Sequence, residues 1–273
     1  MGHPLPKSNA KYENLKKSIS KLGNTAVAFS GGVDSTFLLK VAKDILENNV
    51  IAITANSGAF PKRELSQARA FCKKEKIKHF VFKFNEFGVK GFAKNPPNRC
   101  YLCKKELFKK ILEIAKANGI TNVVEASNAD DINDYRPGMK AIAELGIKSP
   151  LKEAGFSKKE IRAESKKLGL PTFSKPSFAC LATRFPYGEK ITAKKLSMID
   201  RAEQFLLNLG LKQVRVRHHG DVARIEADET GFEILMDSKT RKKINDKLKK
   251  IGFSYVAVDI LGYRTGSMNE TLK

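Results

Sequence analysis

The chain has 273 residues, 41% hydrophobic and 29% charged, enough for one large core or two modest ones and too apolar for a disordered polymer. No apolar run approaches the roughly eighteen residues of a membrane-crossing helix, and MGHPLPKSNAKYENLKK at the amino end has no apolar signal core, so a cytoplasmic protein off the membrane is expected. The net charge of +22 promises an electropositive surface that attracts nucleotides, phosphorylated metabolites or nucleic acid.

The plainer account of that charge is solvated helix faces. In KKSISKLG, LFKKILEIAKANG and TRKKINDKLKK, lysines alternate with apolar residues at helical spacing. With no tryptophan and no interleaved aromatic platform, charge alone does not call for a specific nucleic-acid partner.

Taken in order, TAVAF (25–29) reads as a buried strand and DSTFLLKVAKDIL (34–46) as a helix. VIAITAN (50–56) is a second strand, KRELSQARAFCKKEK (62–76) a helix and KHFVFKF (78–84) a third strand. KKELFKKILEIAKANG (104–119) is a long helix stopped by Gly119, TNVVEAS (121–127) a fourth strand, and SKKEIRAESKKLGLP (157–171) a further helix. This alternation predicts an α/β fold, a doubly wound parallel sheet with helices on both faces and ligands at the carboxyl ends of its strands. Past SKPSFACLATRFPYGEKIT the rhythm changes. AKKLSMIDRAEQFLLNLG (193–210) is a helix, KQVRVRHHGDVARIEA (212–227) two strands joined at Gly220, 229–252 one helix, and YVAVDILGY (255–263) a last strand. Two domains are expected: residues 1–184, and a smaller α+β domain of 185–273 for substrate binding and oligomerisation.

Between the first strand and first helix lies AFSGGVDSTFLL. Gly31 and Gly32 let the loop turn tightly and bring N–H groups against a phosphate, while Ser30 and Ser35 add hydroxyl donors at a helix amino end. Asp34 suits a helix cap or a Mg²⁺ ligand. Asp130, Asp131 and Asp134 in SNADDINDYRPG suit Mg²⁺ orientation or helix capping equally well. In KQVRVRHHGD, strand period puts Val214 and Val216 on one face and Arg215 and Arg217 on the other, a pair for a phosphate or carboxylate or else a solvated strand face. There are four cysteines: Cys100 and Cys103 form a C-x-x-C, and Cys72 and Cys180 stand apart. A C-x-x-C without a second pair is half a structural zinc site; an open Cys₃ zinc site and a redox pair are also compatible. Cys72, on a predicted helix, reads as a small buried apolar residue.

The string S-G-G-V-D-S after a buried strand resembles the pyrophosphate loop of the N-type ATP pyrophosphatases, and the G-x-x-x-x-G-K-[ST] loop of ordinary NTPases is absent. That resemblance implies ATP and Mg²⁺, cleavage between the α- and β-phosphates, and AMP passed to a substrate oxygen. Ser30, Gly31, Gly32, Asp34 and Ser35 would hold the phosphates, with Asn56 and Ser57 of TANSGAF at the adenosine. From this loop to the carboxyl end, NDYRPGMKA, TRFPYGEKIT, VRVRHHGDVARIE and GYRTGSMNETL are together similar to the LarE family of ATP-dependent sulfur transferases. The likeness implies a small-molecule nucleotide substrate, a pyridinium dicarboxylate mononucleotide bound through Arg215, Arg217 and Glu203, with Arg184 in a family motif. It also implies a sulfide donor and a homo-oligomer.

At one point the chain departs from the single-cysteine members of that family. They carry a sacrificial cysteine one residue before the position of Cys180, where this chain has Ala179. The chain resembles instead the three-cysteine subgroup. There Cys100, Cys103 and Cys180 would hold a [4Fe–4S] cluster whose fourth iron keeps an open position for hydrosulfide. A tRNA thiolase with the same activation is the other function compatible with the charge. It is opposed by the lack of flanking zinc-ribbon cysteine pairs.

Overall fold

The computed structural model describes residues 7–133, 137–176 and 179–272. Internal contacts divide the chain into two compact units. The first comprises Met1–Ser57, Arg63–Asn85 and Cys100–Ser177, the second Gly58–Lys62, Glu86–Arg99 and Phe178–Lys273.

In the first unit α1 (Lys7–Ser20), β1 (Thr25–Ala28), α2 (Val33–Leu46), β2 (Val50–Asn56), α3 (Lys62–Lys74) and β3 (Lys78–Lys83) follow one another. Then come α4 (Arg99–Ala117), β4 (Asn122–Val124), α5 (Gly138–Glu144), α6 (Pro150–Glu153) and α7 (Lys158–Lys167). The four strands pair in parallel in the order β3-β2-β1-β4. Alternation along β1 and β2 feeds two cores. Val27 and Ala52 join Leu38, Leu39, Phe71 and Ile161 on one face of the sheet. Ala26, Ile51 and Ile53 join Phe108, Ile111, Ala115 and Ile142 on the other. The sheet is therefore covered on both sides, as a parallel sheet requires. Cys72 lies in the first of these cores, and burial pushes its thiol up to about 12. Because the chain passes to the β3 edge and returns to β4 beside β1, the order reverses between β1 and β4. That reversal is where sheets of this kind leave a crevice at their carboxyl ends.

The expected helix at 104–119 begins earlier, at Arg99, and takes in the C-x-x-C, with Cys100 in its first turn and Cys103 in its second. β4 is shorter than 121–127, because after Val124 the chain turns into side-chain hydrogen bonds at Glu125 and Ser127. Asp134 lies outside the described residues.

The second unit contains α8 (Ala193–Asn208), β5 (Val214–His219), β6 (Val222–Ala227), α9 (Glu229–Met236), α10 (Ser238–Ile251) and β7 (Tyr255–Val258). β5 and β6 form an antiparallel hairpin, and β7 adds in parallel to β6. Leu196, Ile199, Ala202 and Leu206 of α8 are buried, as are Val214 and Val216 of β5. The single helix expected over 229–252 is two. Asp237 is extended and its carboxylate takes the Thr240 N–H at 2.7 Å, so it ends one helix and caps the next.

Candidate active site

The loop after β1 is built mostly from its own short side chains. Ser30 Oγ lies 3.0 Å from Ser35 Oγ, the Gly32 N–H donates to Ser30 Oγ at 3.3 Å, and Ser35 Oγ donates to the Gly32 carbonyl at 3.3 Å. Gly31 sits at φ +75°, and a Cβ there would stand 3.1 Å from the Glu64 carbonyl and 3.3 Å from Ala68 Cβ. Only glycine combines that backbone with so close an approach of α3. Lys175 donates to the Gly31 carbonyl at 3.0 Å and pairs with Glu64 at 2.8 Å, fastening the turn from outside.

Asp34 is the second residue of α2, in the turn where the helix dipole favours negative charge. The cap itself is Gly32, so Asp34 is not the cap. Its Oδ2 accepts from Lys158 Nζ at 2.6 Å and from Asn128 Nδ2 at 3.4 Å, while its buried Oδ1 has no partner among the described residues. A buried carboxylate oxygen without a donor fits a cation such as Mg²⁺. Asp130 accepts the first N–H of α7, that of Lys158, at 2.8 Å, while the cap of that helix is Ser157. Asp131 accepts from the Asn128 N–H at 3.0 Å. Lys158 and Asn128 carried no functional signal in the sequence, since one reads as a helix start and the other as a loop amide.

Beneath the loop, Thr54 Oγ donates to the Phe29 carbonyl at 2.7 Å, so its contact with His79 Nε2 at 2.8 Å has the histidine as donor. Burial, with Arg69 nearby, lowers His79 to about 4, and this relay holds the residue before Ser30 with a neutral imidazole. At the carboxyl end of β2, Asn56 is exposed and Ser57 buried.

Cys100 and Cys103 are half-buried and one helical turn apart at the start of α4. Gly138 packs closely against this turn: a Cβ there would stand 2.6 Å from Lys104 Cδ and 2.9 Å from Cys100 Sγ. Cys180 belongs to the second unit and is also half-buried. Its carbonyl accepts from Thr183 N at 3.0 Å, Thr183 Oγ at 2.8 Å and Arg184 NH1 at 3.4 Å, so its backbone is firmly held. Arg99, the residue before Cys100, donates to the Ala182 carbonyl at 2.8 Å and to Asn95 Oδ1. Two thiols at i and i+3 on one helix are a spacing that suits metal ligation. Among the described residues no group of three or more His, Cys, Asp or Glu is already gathered for a metal ion.

The second unit buries an arginine-rich set. Arg184 and Glu203 are fully buried and bidentate, at 2.7 and 3.1 Å, and Glu203 also accepts the Val216 N–H at 3.1 Å. Burial alone would raise the Glu203 carboxyl, but Arg184 and Arg215 outweigh it and hold it below its usual range. The solvated-face alternative for Arg215 and Arg217 is overturned, because both are buried, at 3% and 4% exposure. Arg217 binds Glu226 at 2.6 Å and Ser267 at 2.9 Å. Arg215 lies over the Tyr263 ring at 5.0 Å, and burial beside Arg184 lowers it to about 10. Within this set Arg184 pairs with Glu203 and Arg217 with Glu226, which puts three buried guanidiniums close together. Glu226, Tyr263 and Ser267 stand within the strings VRVRHHGDVARIE and GYRTGSMNETL, but strand and turn patterns do not announce their pairing.

A family model described as queuosine biosynthesis protein QueC matches residues 24–94, the span of the loop and its first three strands. The chain is 36% identical, over 96% of its length and 95% of the relative's, to pyridinium-3,5-bisthiocarboxylic acid mononucleotide synthase of Lactiplantibacillus plantarum. This chain belongs to the LarE family of PP-loop sulfur transferases. An uncharacterized protein of Synechocystis sp. is 41% identical over 96% of this chain and 98% of its own. One subunit of the glutamine-hydrolyzing GMP synthase of Thermoplasma volcanium is 26% identical over 60% of this chain and 56% of its own. The LarE relationship thus spans both units, whereas the QueC model matches residues 24–94.

Proposed function

We propose that the protein is an ATP-dependent sulfur insertase that converts a carboxylate of pyridinium-3,5-dicarboxylate mononucleotide into a thiocarboxylate, in nickel-pincer nucleotide biosynthesis. The observation that carries this reading is similarity along nearly the whole chain, at 36% identity, to a synthase of the bisthiocarboxylic mononucleotide, joined to a self-bonded SGGVDS loop with a carboxylate oxygen unpartnered among the described residues.

The loop N–H groups and the hydroxyls of Ser30 and Ser35 bind the pyrophosphate portion of ATP, Asn56 and Ser57 lie toward the adenosine, and Asp34 takes Mg²⁺ on its open oxygen. The substrate carboxylate attacks the α-phosphorus, the bond to the bridging oxygen breaks, and pyrophosphate leaves. Hydrosulfide then attacks the acyl carbon of the adenylate, the carbon–oxygen bond breaks, and AMP carries off one carboxylate oxygen. Arg215 and Arg217 neutralise the substrate's anionic groups, and Arg184 with Glu203 keeps them in place. Cys100, Cys103 and Cys180 would hold a [4Fe–4S] cluster, which supplies an iron with an open position where sulfide binds and is replenished.

The test is product analysis with the pyridinium substrate, ATP, Mg²⁺ and sulfide under anaerobic conditions. AMP, pyrophosphate and a thiocarboxylate are expected from the wild type, and none of the three from Asp34→Ala. ADP and phosphate as products would remove the protein from this chemistry. Thiolation of RNA but not of the mononucleotide would move it to the other substrate class.

A further inference from the structure

Asp34 is the one loop carboxylate, and a lysine from a distant part of the chain already sits on it. Lys158 Nζ lies 2.6 Å from Asp34 Oδ2, with the two side chains 28% and 20% exposed. The lysine is anchored at its backbone. It opens α7 behind the Ser157–Glu160 capping box, and its N–H is held by Asp130 at 2.8 Å. Only the four-carbon stem and the ammonium remain free to swing. The same carboxylate has one oxygen on Lys158 and the other, Oδ1, buried without a donor among the described residues. Lys175, the other lysine at this loop, is neutralised by Glu64 and does not offer Asp34 a second partner. An ammonium and a divalent cation on one carboxylate repel each other at contact distance, so they compete for it.

We propose that Lys158 is the resident counter-ion of the nucleotide site, a cation that Mg²⁺ displaces from Asp34 when metal-bound nucleotide enters. This rests on the reading of the loop as an ATP–Mg²⁺ site and adds to it. The nucleotide-free carboxylate is kept paired, and bare metal is refused until the phosphates supply further ligands. Metal affinity and nucleotide affinity are thereby coupled through one side chain.

The test is Mn²⁺ titration of the nucleotide-free protein, read as loss of the free-ion EPR signal. Lys158→Met and Lys158→Gln should each bind Mn²⁺ at least about tenfold more tightly than the wild type, a difference of about 1.4 kcal/mol. Lys158→Arg, which keeps the positive charge, should stay close to the wild type. Adding Asp34→Asn to Lys158→Met should abolish the gain. The proposal is overturned if neither neutral variant tightens Mn²⁺ binding, if Lys158→Arg gains as much as Lys158→Met, or if the double variant still binds tightly. Because the measurement involves no turnover, it stands apart from the product analysis. Tighter Mn²⁺ binding supports the counter-ion even if ATP proves to be cleaved elsewhere.

Discussion

Arg184 and Glu203 form an ion pair wholly removed from solvent. Both are fully buried, and Arg184 also donates to Thr183 Oγ at 2.7 Å, within the segment that follows Cys180. Replacing Arg184 by Met leaves the Glu203 carboxylate buried with only the Val216 N–H and the influence of Arg215. We expect a loss of about 3–5 kcal/mol in unfolding free energy. The double variant Arg184→Met, Glu203→Met removes both charges and should recover most of that loss. Denaturant melts of the two variants decide it, and a double variant no more stable than the single one would show that the pair does not act as a unit. The sequence placed Arg184 and Glu203 near a substrate through family likeness, yet their mutual pairing was not legible, since nineteen positions separate them and neither helical nor strand period relates them. Ser30 and Ser35 were legible for the opposite reason, since their geometry is local and closed within one turn of chain, whereas the partners of Asp34 lie 94 and 124 positions away.

At the scale of elements, apolar period located the four parallel strands and their main helices, because each buried face repeats at two or 3.6 residues. It failed at the ends. Asn98, a residue type that suits a helix cap, stands directly before α4 but belongs to no apolar period, and Asp237 reads as one more polar residue on a helix face, since no period marks its capping bond. The relay His79–Thr54–Phe29 crosses from β3 to β2 to the end of β1, a register no single-strand pattern reveals. It also makes stability depend on pH. The folded-state value of His79, about 4, lies below the usual 6.5, so the unfolded chain binds the extra proton first as pH falls. The stabilisation is full above about 6.5 and is lost progressively toward 4, with a size of about 1–2 kcal/mol once partial exposure is discounted. His79→Gln keeps a side-chain N–H donor for Thr54 but does not titrate. Its unfolding free energy should fall less than that of the wild type between these limits. Parallel pH profiles for the two proteins would refute the assignment.

At the scale of the whole molecule the residues assigned to the proposed chemistry fall in two units. The first carries the nucleotide loop with Cys100 and Cys103, the second the buried arginines with Cys180. The second unit also takes in residues 58–62 and 86–99, short connections whose allegiance no composition shift signals. The cysteines therefore test the proposed arrangement most directly, since no single unit supplies all three. Protein prepared without oxygen should be brown and hold about four irons per chain, anchored by Cys100, Cys103 and Cys180. Replacing any one by Ser should leave two thiolates, too few to retain the cluster, and iron and sulfide analysis should show its loss. ATP binding should persist in all three variants, because the Ser30–Ser35 loop is closed by its own hydrogen bonds and by Lys175. Cys72→Ser should keep the iron and lose only about 1–3 kcal/mol of stability from a hydroxyl placed in an apolar core. With sulfide supplied, the wild type should turn over repeatedly with Cys180 intact by mass spectrometry. Iron-free protein that loses the elements of hydrogen sulfide from Cys180 after one turnover would establish a sacrificial route instead, and would leave Cys100 and Cys103 without a part in the chemistry.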